Sequence, residues 1–372
     1  MEVTELSVYS VDLPIAEGSY DWSGENSYEA FEATVVRLRT DEGVTGWGET
    51  ATLGSSYLPA FPRGARAGIE ELAGTVLGSD PTQPAVLADR MDRRLGGHPY
   101  AKSGIDMACW DVTGKVAGEP VVDLLGGRFG EGAPLYRAIS QGTPAEMAER
   151  VERYRDEGYR NFQLKVGEDP VVDAERIRAA RAELEPEHLL DADCNTGLNQ
   201  HEAVRLVRAV REVDVYIEQP CATYEECRAV RRQSDHPFVL DEIMDGVGPI
   251  VRGYGENAMD AINLKIAKVG GLTRARTIRD LCAELGLSMI IEDSWGSEIA
   301  TSAIAHLAHS TRPDAVLATT DFHDYNAVTT ADGAPEASDG TMAAPTGNGL
   351  GIEPREDVLG DPVATYAREG SP

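Results

Sequence analysis

The chain contains 372 residues, more than one compact core usually holds, so we expect one large domain and a smaller one. Hydrophobic residues make up 42% of the sequence and charged residues 26%, as in globular proteins, and no apolar run reaches the roughly 20 residues that a membrane-spanning helix needs. The formal charge of −29 repels phosphate backbones and anionic lipid headgroups, so we expect neither nucleic-acid nor membrane binding.

The first part of the chain predicts a small α+β domain. Strand candidates lie at residues 6–11, 33–38 and 44–50. The last two flank Asp41-Glu42-Gly43, which is a hairpin signal. Apolar residues then recur at helical spacing over about 64–77, 83–95 and 102–117. We expect this domain to span residues 1–127.

Beyond residue 127, short apolar runs alternate with helical segments. The strand candidates are 135–139, 161–166, 189–193, 215–218, 238–241, 261–264, 288–292 and 315–319. Amphipathic helices between them include 144–157, 201–212, 272–285 and 298–310. This alternation predicts an α/β fold, a (β/α)7β barrel of the TIM type over residues 128–342, rather than a doubly wound sheet. The tail, 343–372, lacks another strand–helix unit, and we expect it to return to the first domain as part of an α+β capping domain.

A polar residue stands at the C-terminal end of each barrel strand from the second onward. These residues are Lys165, Asp193, Glu218, Asp241, Lys265, Asp293 and Asp321, each 23 to 28 residues after the one before. A barrel brings the C-terminal ends of its strands to one face, where the active sites of this fold are built. The sequence therefore predicts that these residues surround a single cavity.

Three acids on consecutive strands predict a metal site. Asp193, Glu218 and Asp241 each end an apolar run, where an unpaired anion is costly to bury. Adjacent anions also raise one another's pKa values unless a cation lies among them. Oxygen ligands without nearby His or Cys favour Mg²⁺ over zinc. One such acid alone would more often cap a strand or form an ion pair, and Glu242 competes with Asp241 for the third position.

The lysines indicate acid–base chemistry. Only five of the 34 basic residues are lysine, at positions Lys102, Lys115, Lys165, Lys265 and Lys268. Lys165 and Lys265 end the second and sixth barrel strands, across the barrel from each other. The pKa of a lysine shifts readily on burial, whereas arginine stays charged. We expect these two amines to address opposite faces of one substrate carbon; the alternative is that they form structural ion pairs with the metal-binding acids.

Residues near the same strand ends are candidates for substrate binding. They are Tyr20, Tyr57, Gln163, Asn195, Asp293, Trp295 and Asp321. The loops that carry Tyr20 and Tyr57 are expected to close the barrel mouth and exclude water. Asp293 or Asp321 is a candidate partner for a substrate ammonium or for a lysine, and Trp295 a cavity wall or a face for a cation. His306 and His309, on a predicted helix, are expected at the surface.

Dispersed acid with little lysine suggests a salt-rich cytoplasm, in which salt screens the self-repulsion. The N-terminus is acidic and lacks the features of a signal peptide, which favours a cytoplasmic location. The five cysteines show no paired motif, so neither a disulfide framework nor a zinc site is expected.

The sequence resembles the enolase superfamily, specifically its mandelate racemase/muconate lactonizing enzyme group. Residues 101–115 (AKSGIDMACWDVTGK) are similar to the helix that joins cap to barrel in that group. The resemblance implies that Asp193, Glu218 and Asp241 bind Mg²⁺ and that lysine removes the proton α to a carboxylate. The chain departs from the group in two places. Gln163 stands where a Lys-x-Lys motif usually begins, and Lys265 replaces the His–Asp pair of the mandelate racemases.

Segments 98–103, 218–227 and 318–322 are most similar to the cis-3-hydroxy-L-proline dehydratase branch, beside the hydroxyproline-betaine epimerases. This implies a small carboxylate substrate related to proline, and a homo-oligomer is expected. If the substrate carries a β-hydroxyl, its loss gives dehydration; if not, reprotonation from the opposite face gives racemisation or epimerisation. The alternative that is not an enzyme is a barrel that binds a ligand without catalysis.

Overall fold

The computed structural model describes residues 1–368, and their N-terminal part forms an antiparallel sheet covered by helices. Its elements are β1 (Val3–Pro14), β2 (Tyr20–Trp22), β3 (Asn26–Tyr28), β4 (Ala30–Thr40), β5 (Thr45–Ala51), α1 (Pro62–Val76), α2 (Pro84–Arg94), α3 (Pro99–Ala117) and α4 (Val121–Leu124). Strands β4 and β5 pair through the predicted hairpin, where Gly43 has a φ of 80° that suits glycine. Apolar side chains of the sheet and of α1 and α3 share one core.

The barrel follows, with one parallel sheet of eight strands within residues 1–368. Its elements are β6 (Ala133–Pro134), β7 (Tyr136–Ile139), α5 (Pro144–Asp156), β8 (Asn161–Lys165), α6 (Pro170–Ala182), β9 (Leu189–Asp193), α7 (Gln200–Ala209), β10 (Tyr216–Glu218), α8 (Tyr224–Arg231), β11 (Phe238–Leu240), α9 (Val247–Gly255), β12 (Ala261–Lys265), α10 (Ile266–Val269), α11 (Leu272–Leu285), β13 (Ser288–Glu292), α12 (Glu298–His309) and β14 (Val316–Thr319). Strands β7 to β14 lie in sequence order, and a bridge between Leu135 and Thr319 brings the last strand beside the first. The predicted barrel is confirmed.

The barrel helices begin where the sequence supplies caps. Thr143 and Glu146 form a reciprocal capping box at the start of α5, and Asn199 and Glu202 form another at α7. Such caps satisfy backbone N–H groups that have no partner inside the helix. They fix where each helix begins, and so how long the loop before it is.

The C-terminal segment returns to the first sheet. Its elements are β15 (Ala331–Asp332), β16 (Ala337–Ser338), β17 (Thr341–Met342), β18 (Glu353–Pro354), α13 (Glu356–Leu359) and β19 (Ala364–Ala367). Strand β19 pairs antiparallel with β1, from Glu5 opposite Ala367 to Val8 opposite Ala364. The exact domain limits at 127 and 342 stay a prediction.

Buried carboxylates join the cap to the barrel. Glu49 of β5 accepts hydrogen bonds from the backbone N–H groups of Ser297 (2.9 Å) and Ala300 (3.0 Å). A residue of the N-terminal domain thus satisfies free N–H groups at the start of barrel helix α12. Asp106 of α3 does the same at α11, accepting from the Thr273 N–H at 2.9 Å. Gly48 lets β5 approach α3, because a Cβ atom there would lie 2.1 Å from the Gly104 carbonyl oxygen. The loops of the cap are thereby fixed over the barrel.

One expectation is wrong. His306 and His309 are buried rather than exposed, because α12 packs on all sides. The His306 ring contacts the Leu350 carbonyl (3.1 Å) and accepts from the Val122 N–H (3.1 Å). Burial lowers the pKa of His306 to about 3. Within residues 1–368, no helix meets the requirements of a transmembrane segment.

Candidate active site

Polar side chains two residues apart on one strand point into the barrel at its C-terminal end. Successive residues of a strand face opposite sides, so positions i and i+2 share a face. The pairs are Gln163 and Lys165 on β8, Asp191 and Asp193 on β9, and Asn263 and Lys265 on β12. All six side chains are buried.

Glu218 is held from two sides by neutral amides. Its Oε2 accepts a hydrogen bond from Gln163 Nε2 and its Oε1 one from Asn263 Nδ2, both at 2.9 Å. Burial, followed by repulsion from Asp193 and Asp191, raises the pKa of Glu218 well above its usual value. An acid in this position accepts a cation readily, because a cation would relieve both costs.

Lys165 and Asp193 form a buried ion pair. Their Nζ and Oδ2 atoms are 2.6 Å apart, and the other Asp193 oxygen accepts from the Asn195 N–H at 2.8 Å. Burial by itself lowers the pKa of Lys165, but the adjacent Asp193 carboxylate outweighs that effect and raises it. Lys165 is only 6% exposed, so it can contact only what enters the barrel mouth.

Asp241 is the acceptor for two lysines and a tyrosine. Its Oδ2 accepts from Lys265 Nζ at 2.6 Å and from the Tyr57 hydroxyl at 2.5 Å, while its Oδ1 accepts from Lys268 Nζ at 2.6 Å. Burial alone would raise the pKa of Asp241, but the ammonium groups of Lys265 and Lys268 lower it. The neighbouring Glu242 side chain accepts one hydrogen bond in the described part of the chain, from Asn195 Nδ2 at 3.1 Å.

These acids suit a hard divalent cation in charge and atom type. Both side-chain oxygens of Asp191 and the Oε2 of Glu242 are buried without a hydrogen-bond partner among residues 1–368. Burial, with Asp241 and Asp193 nearby, raises the pKa of Glu242 to about 8. Among residues 1–368, however, no three His, Cys, Asp or Glu side chains converge closely enough to share one metal ion. The lysine ammonium groups supply the positive charge beside Asp193 and Asp241 instead.

The cap contributes aromatic side chains to the site. The Tyr57 hydroxyl accepts from Lys265 Nζ at 2.5 Å, so this loop residue of the cap directly contacts a lysine at a barrel strand end. The Tyr20 ring centroid lies 6.0 Å from Lys165 Nζ and 5.0 Å from the Trp295 ring. Trp295 is buried, with its Nε1–H donated to Asn326, and forms wall rather than an open face.

The two remaining candidate acids lie in different surroundings. Asp293 accepts from the N–H groups of Ser294 (2.7 Å) and Ala267 (3.0 Å), at the strand end beside Lys265. Burial raises the pKa of Asp293 to about 8. Asp321 instead belongs to a cluster with Tyr159, whose hydroxyl donates to it at 2.8 Å, and with Arg137 at 4.0 Å. The structure therefore brings every predicted site residue except Asp321 to the barrel mouth.

Several residues of the site were missed in the sequence. Lys268 was noted but given no role, and Asp191, Asn263 and Glu292 were not selected. Glu292 accepts a hydrogen bond from the Tyr136 hydroxyl and lies 3.4 Å from Lys265 Nζ. The i, i+2 pattern on β9 and β12 would have identified Asp191 and Asn263.

The fold and the site define an enolase-type barrel with an N-terminal cap, and the sequence comparisons agree. Residues 146–358 match the family model described as enolase C-terminal domain-like. Residues 25–126 match the N-terminal domain of mandelate racemase/muconate lactonizing enzyme. The chain belongs to the mandelate racemase/muconate lactonizing enzyme family of the enolase superfamily.

Two relatives are named for different reactions. Cis-3-hydroxy-L-proline dehydratase of Roseibium aggregatum is 52% identical over 367 residues, which cover 99% of this chain and 100% of the relative. N-succinyl-L-Arg/Lys racemase of Bacillus cereus is 28% identical and covers 83% of this chain and 85% of its own length.

Solved structures agree in fold over the full length. A mandelate racemase/muconate lactonizing enzyme from Roseovarius nubinhibens superimposes with a TM-score of 0.96 at 40% identity, covering 100% of both chains. A second protein from that organism, solved in complex with magnesium, also gives a TM-score of 0.96, at 34% identity over 99% of this chain and 100% of its own. Enzymes of this superfamily bind Mg²⁺.

Proposed function

We propose that this protein is a Mg²⁺-dependent dehydratase of cis-3-hydroxy-L-proline or of a closely similar hydroxylated cyclic amino acid. The observation that carries the proposal is the pair of buried lysines, Lys165 and Lys265, which end strands four positions apart in a barrel of eight. Strands so spaced lie across the barrel from each other. Their amines therefore approach a carbon atom held between them from two sides. The 52% identical dehydratase supports the choice of substrate.

Asp193, Glu218 and Asp241 would hold the metal ion, with Glu242 as the alternative to Asp241, once the ion takes the place of the lysine ammonium groups that now pair with Asp193 and Asp241. When bound there, Mg²⁺ supplies positive charge that offsets the second negative charge developing on the substrate carboxylate as the α-proton leaves. The amides of Gln163 and Asn263 fix the orientation of Glu218, since each occupies one of its oxygens. The rigid strands keep these donors in place before substrate arrives.

One lysine removes the α-proton and must be neutral to do so. Each amine is now held as an ammonium by an aspartate, Lys165 by Asp193 and Lys265 by Asp241. Additional positive charge beside either aspartate weakens the attraction between that aspartate and its lysine, and so lowers the pKa of the lysine. The other lysine stays protonated, hydrogen-bonds the substrate carboxylate and returns a proton. The Cα–H bond breaks first and the Cβ–O bond second, so one molecule of water is lost and a double bond forms.

The cap completes the site by covering the barrel mouth. Tyr57 contacts both Asp241 and Lys265, while Tyr20 lies beside Lys165 and Trp295. These rings exclude water from the reacting carbon and offer a surface to a pyrrolidine ring. Asp293, at the strand end beside Lys265, is the candidate acceptor for the ring ammonium.

The test is incubation of the purified protein with Mg²⁺ and cis-3-hydroxy-L-proline in D₂O. We expect a product lighter than the substrate by one water, together with deuterium at Cα of any substrate that reverts. Trans-4-hydroxy-L-proline, which has no β-hydroxyl, is the matched control and should exchange its α-proton without losing water. Absence of water loss from cis-3-hydroxy-L-proline would refute the proposal.

A racemase or epimerase is the second candidate, and the same pair of lysines favours it. Two bases on opposite faces are what inversion at Cα requires, because one removes the proton and the other replaces it. The 28% identical N-succinyl-L-Arg/Lys racemase shows that the family includes such a reaction. Inversion of proline or of its betaine, without water loss from cis-3-hydroxy-L-proline, would favour this candidate over the dehydratase.

A further inference from the structure

Lys268 is a third buried lysine of the site, and its surroundings differ from those of Lys165 and Lys265. It is 3% exposed and lies on the single-turn helix α10, three residues after Lys265. Its Nζ donates to the Asp241 Oδ1 at 2.6 Å, to the Asp241 carbonyl oxygen at 2.6 Å and to the Asn263 carbonyl oxygen at 3.2 Å.

These contacts leave Lys268 no free donor. An ammonium group has three N–H bonds and no acceptor, and all three are committed to protein oxygens. Lys268 therefore cannot hydrogen-bond a substrate without giving up one of these contacts. Two of its three bonds go to one residue, so its main effect is on Asp241.

Asp241 is held more firmly than the acid beside it. Lys268 fixes its Oδ1 and its carbonyl oxygen, and Gln219 Oε1 accepts from its N–H at 3.0 Å. The Oδ2 atom, on the other side of the carboxylate, faces Lys265 and Tyr57. Glu242 has one side-chain hydrogen bond, and its Oε2 has none. The two adjacent acids thus differ in preorganisation, which sequence position alone does not show.

We propose that Lys268 is a positioning residue that orients Asp241 for metal binding, a support that the adjacent Glu242 lacks. The inference rests on the proposed function, because it assumes a divalent ion at these carboxylates. Partners that orient metal-binding side chains typically change metal affinity about 10–100-fold when they are removed. The direct readout is therefore the affinity for Mg²⁺, independent of turnover.

The test compares Lys268→Met with Lys115→Met by calorimetric titration of the purified protein with Mg²⁺. Lys115 is a matched control, since its Nζ also donates to a buried aspartate (Asp111, 2.7 Å) and to a carbonyl oxygen (Thr45, 3.0 Å). We expect Lys268→Met to weaken Mg²⁺ binding about 10–100-fold and Lys115→Met to change it less than about twofold. Asp241→Asn should weaken binding more than Glu242→Gln.

Equal Mg²⁺ affinities in the two lysine variants, or a larger loss for Glu242→Gln than for Asp241→Asn, would overturn the inference while leaving the proposed function intact. If wild-type protein does not bind Mg²⁺ at all, both fall. Should Lys268→Met fail to fold, Lys268→Gln, which keeps one short donor, takes its place with the same expected loss. Failure of both variants to fold would assign Lys268 to stability and overturn the positioning role.

Discussion

Replacing Tyr57 by phenylalanine tests whether the cap takes part in the chemistry. The change removes one hydroxyl that donates to Asp241 Oδ2 and accepts from Lys265 Nζ, both at 2.5 Å, and keeps the ring. Hydrogen bonds to charged groups contribute about 1.5–3 kcal/mol each. Asp241 and Lys265 still contact each other at 2.6 Å, so we count one such bond rather than two. The expected loss in kcat/KM is then about 10- to 150-fold.

The assay is the rate of water loss from cis-3-hydroxy-L-proline, with thermal unfolding measured alongside. Tyr28→Phe is the matched control, because the Tyr28 hydroxyl hydrogen-bonds only Ser56 (3.3 Å) within residues 1–368 and contacts neither a lysine nor an acid of the site. We expect this control to keep kcat/KM within about twofold, since exposed changes are usually small in effect. If Tyr57→Phe also stays within twofold, the hydroxyl has no role in the reaction and the reasoning fails.

Three further predictions concern proton transfer, the metal and pH. Lys165→Ala and Lys265→Ala should each abolish α-proton exchange or confine it to one substrate face, as followed by NMR in D₂O. The control Lys102→Ala, which removes a buried lysine that pairs with Asp92, should leave exchange unchanged. Unaffected exchange in the first two variants would defeat their assignment. Chelation of divalent ions with EDTA should stop exchange and added Mg²⁺ should restore it, so exchange that persists in EDTA contradicts the metal role. Burial raises the pKa of Glu49 to about 7 from its ordinary 4.5, so its contribution to stability is full below about pH 4.5 and is lost as the pH rises through 7. Glu49→Gln should flatten the fall in unfolding free energy between pH 5 and 7 by up to about 1.4 kcal/mol per pH unit in urea titrations, and identical slopes would refute this.

The positions of the site residues along the chain could be predicted because a barrel converts sequence spacing into spatial proximity. Lys165, Asp193, Glu218 and Lys265 end or nearly end their strands, and the fold alone places those ends on one face. The strands and helices that were predicted lie within a few residues of observed elements, since alternating apolar runs and amphipathic helices carry strong periodic signals. Contacts between side chains could not be predicted from the sequence, because they depend on which way each side chain turns.

Asp321 shows why a strand-end position is insufficient. Its place follows the same spacing as Asp293, yet it contacts Tyr159 and Arg137 rather than the lysines. Both acids lie beyond the last residue of their strands, Glu292 and Thr319, where the alternation of a strand no longer fixes which way a side chain turns. No spacing rule detects that difference.

The cytoplasmic location, the homo-oligomer and the salt-rich habitat stay predictions, and the comparisons give the habitat no support.

The rarity of lysine takes on a different meaning in the structure. Each of the five lysines forms an ion pair with an aspartate, within 2.9 Å, in residues 1–368. Lysine is thus kept where a compact point charge meets an aspartate, whereas arginine lies both at the surface and in buried pairs such as Arg137 with Asp321. Two of the five, Lys102 and Lys115, have this environment without lying at the barrel mouth. Burial beside an acid therefore does not identify a catalytic lysine. What separates Lys165 and Lys265 from the rest is that they end opposite strands of one barrel, which no structural ion pair requires.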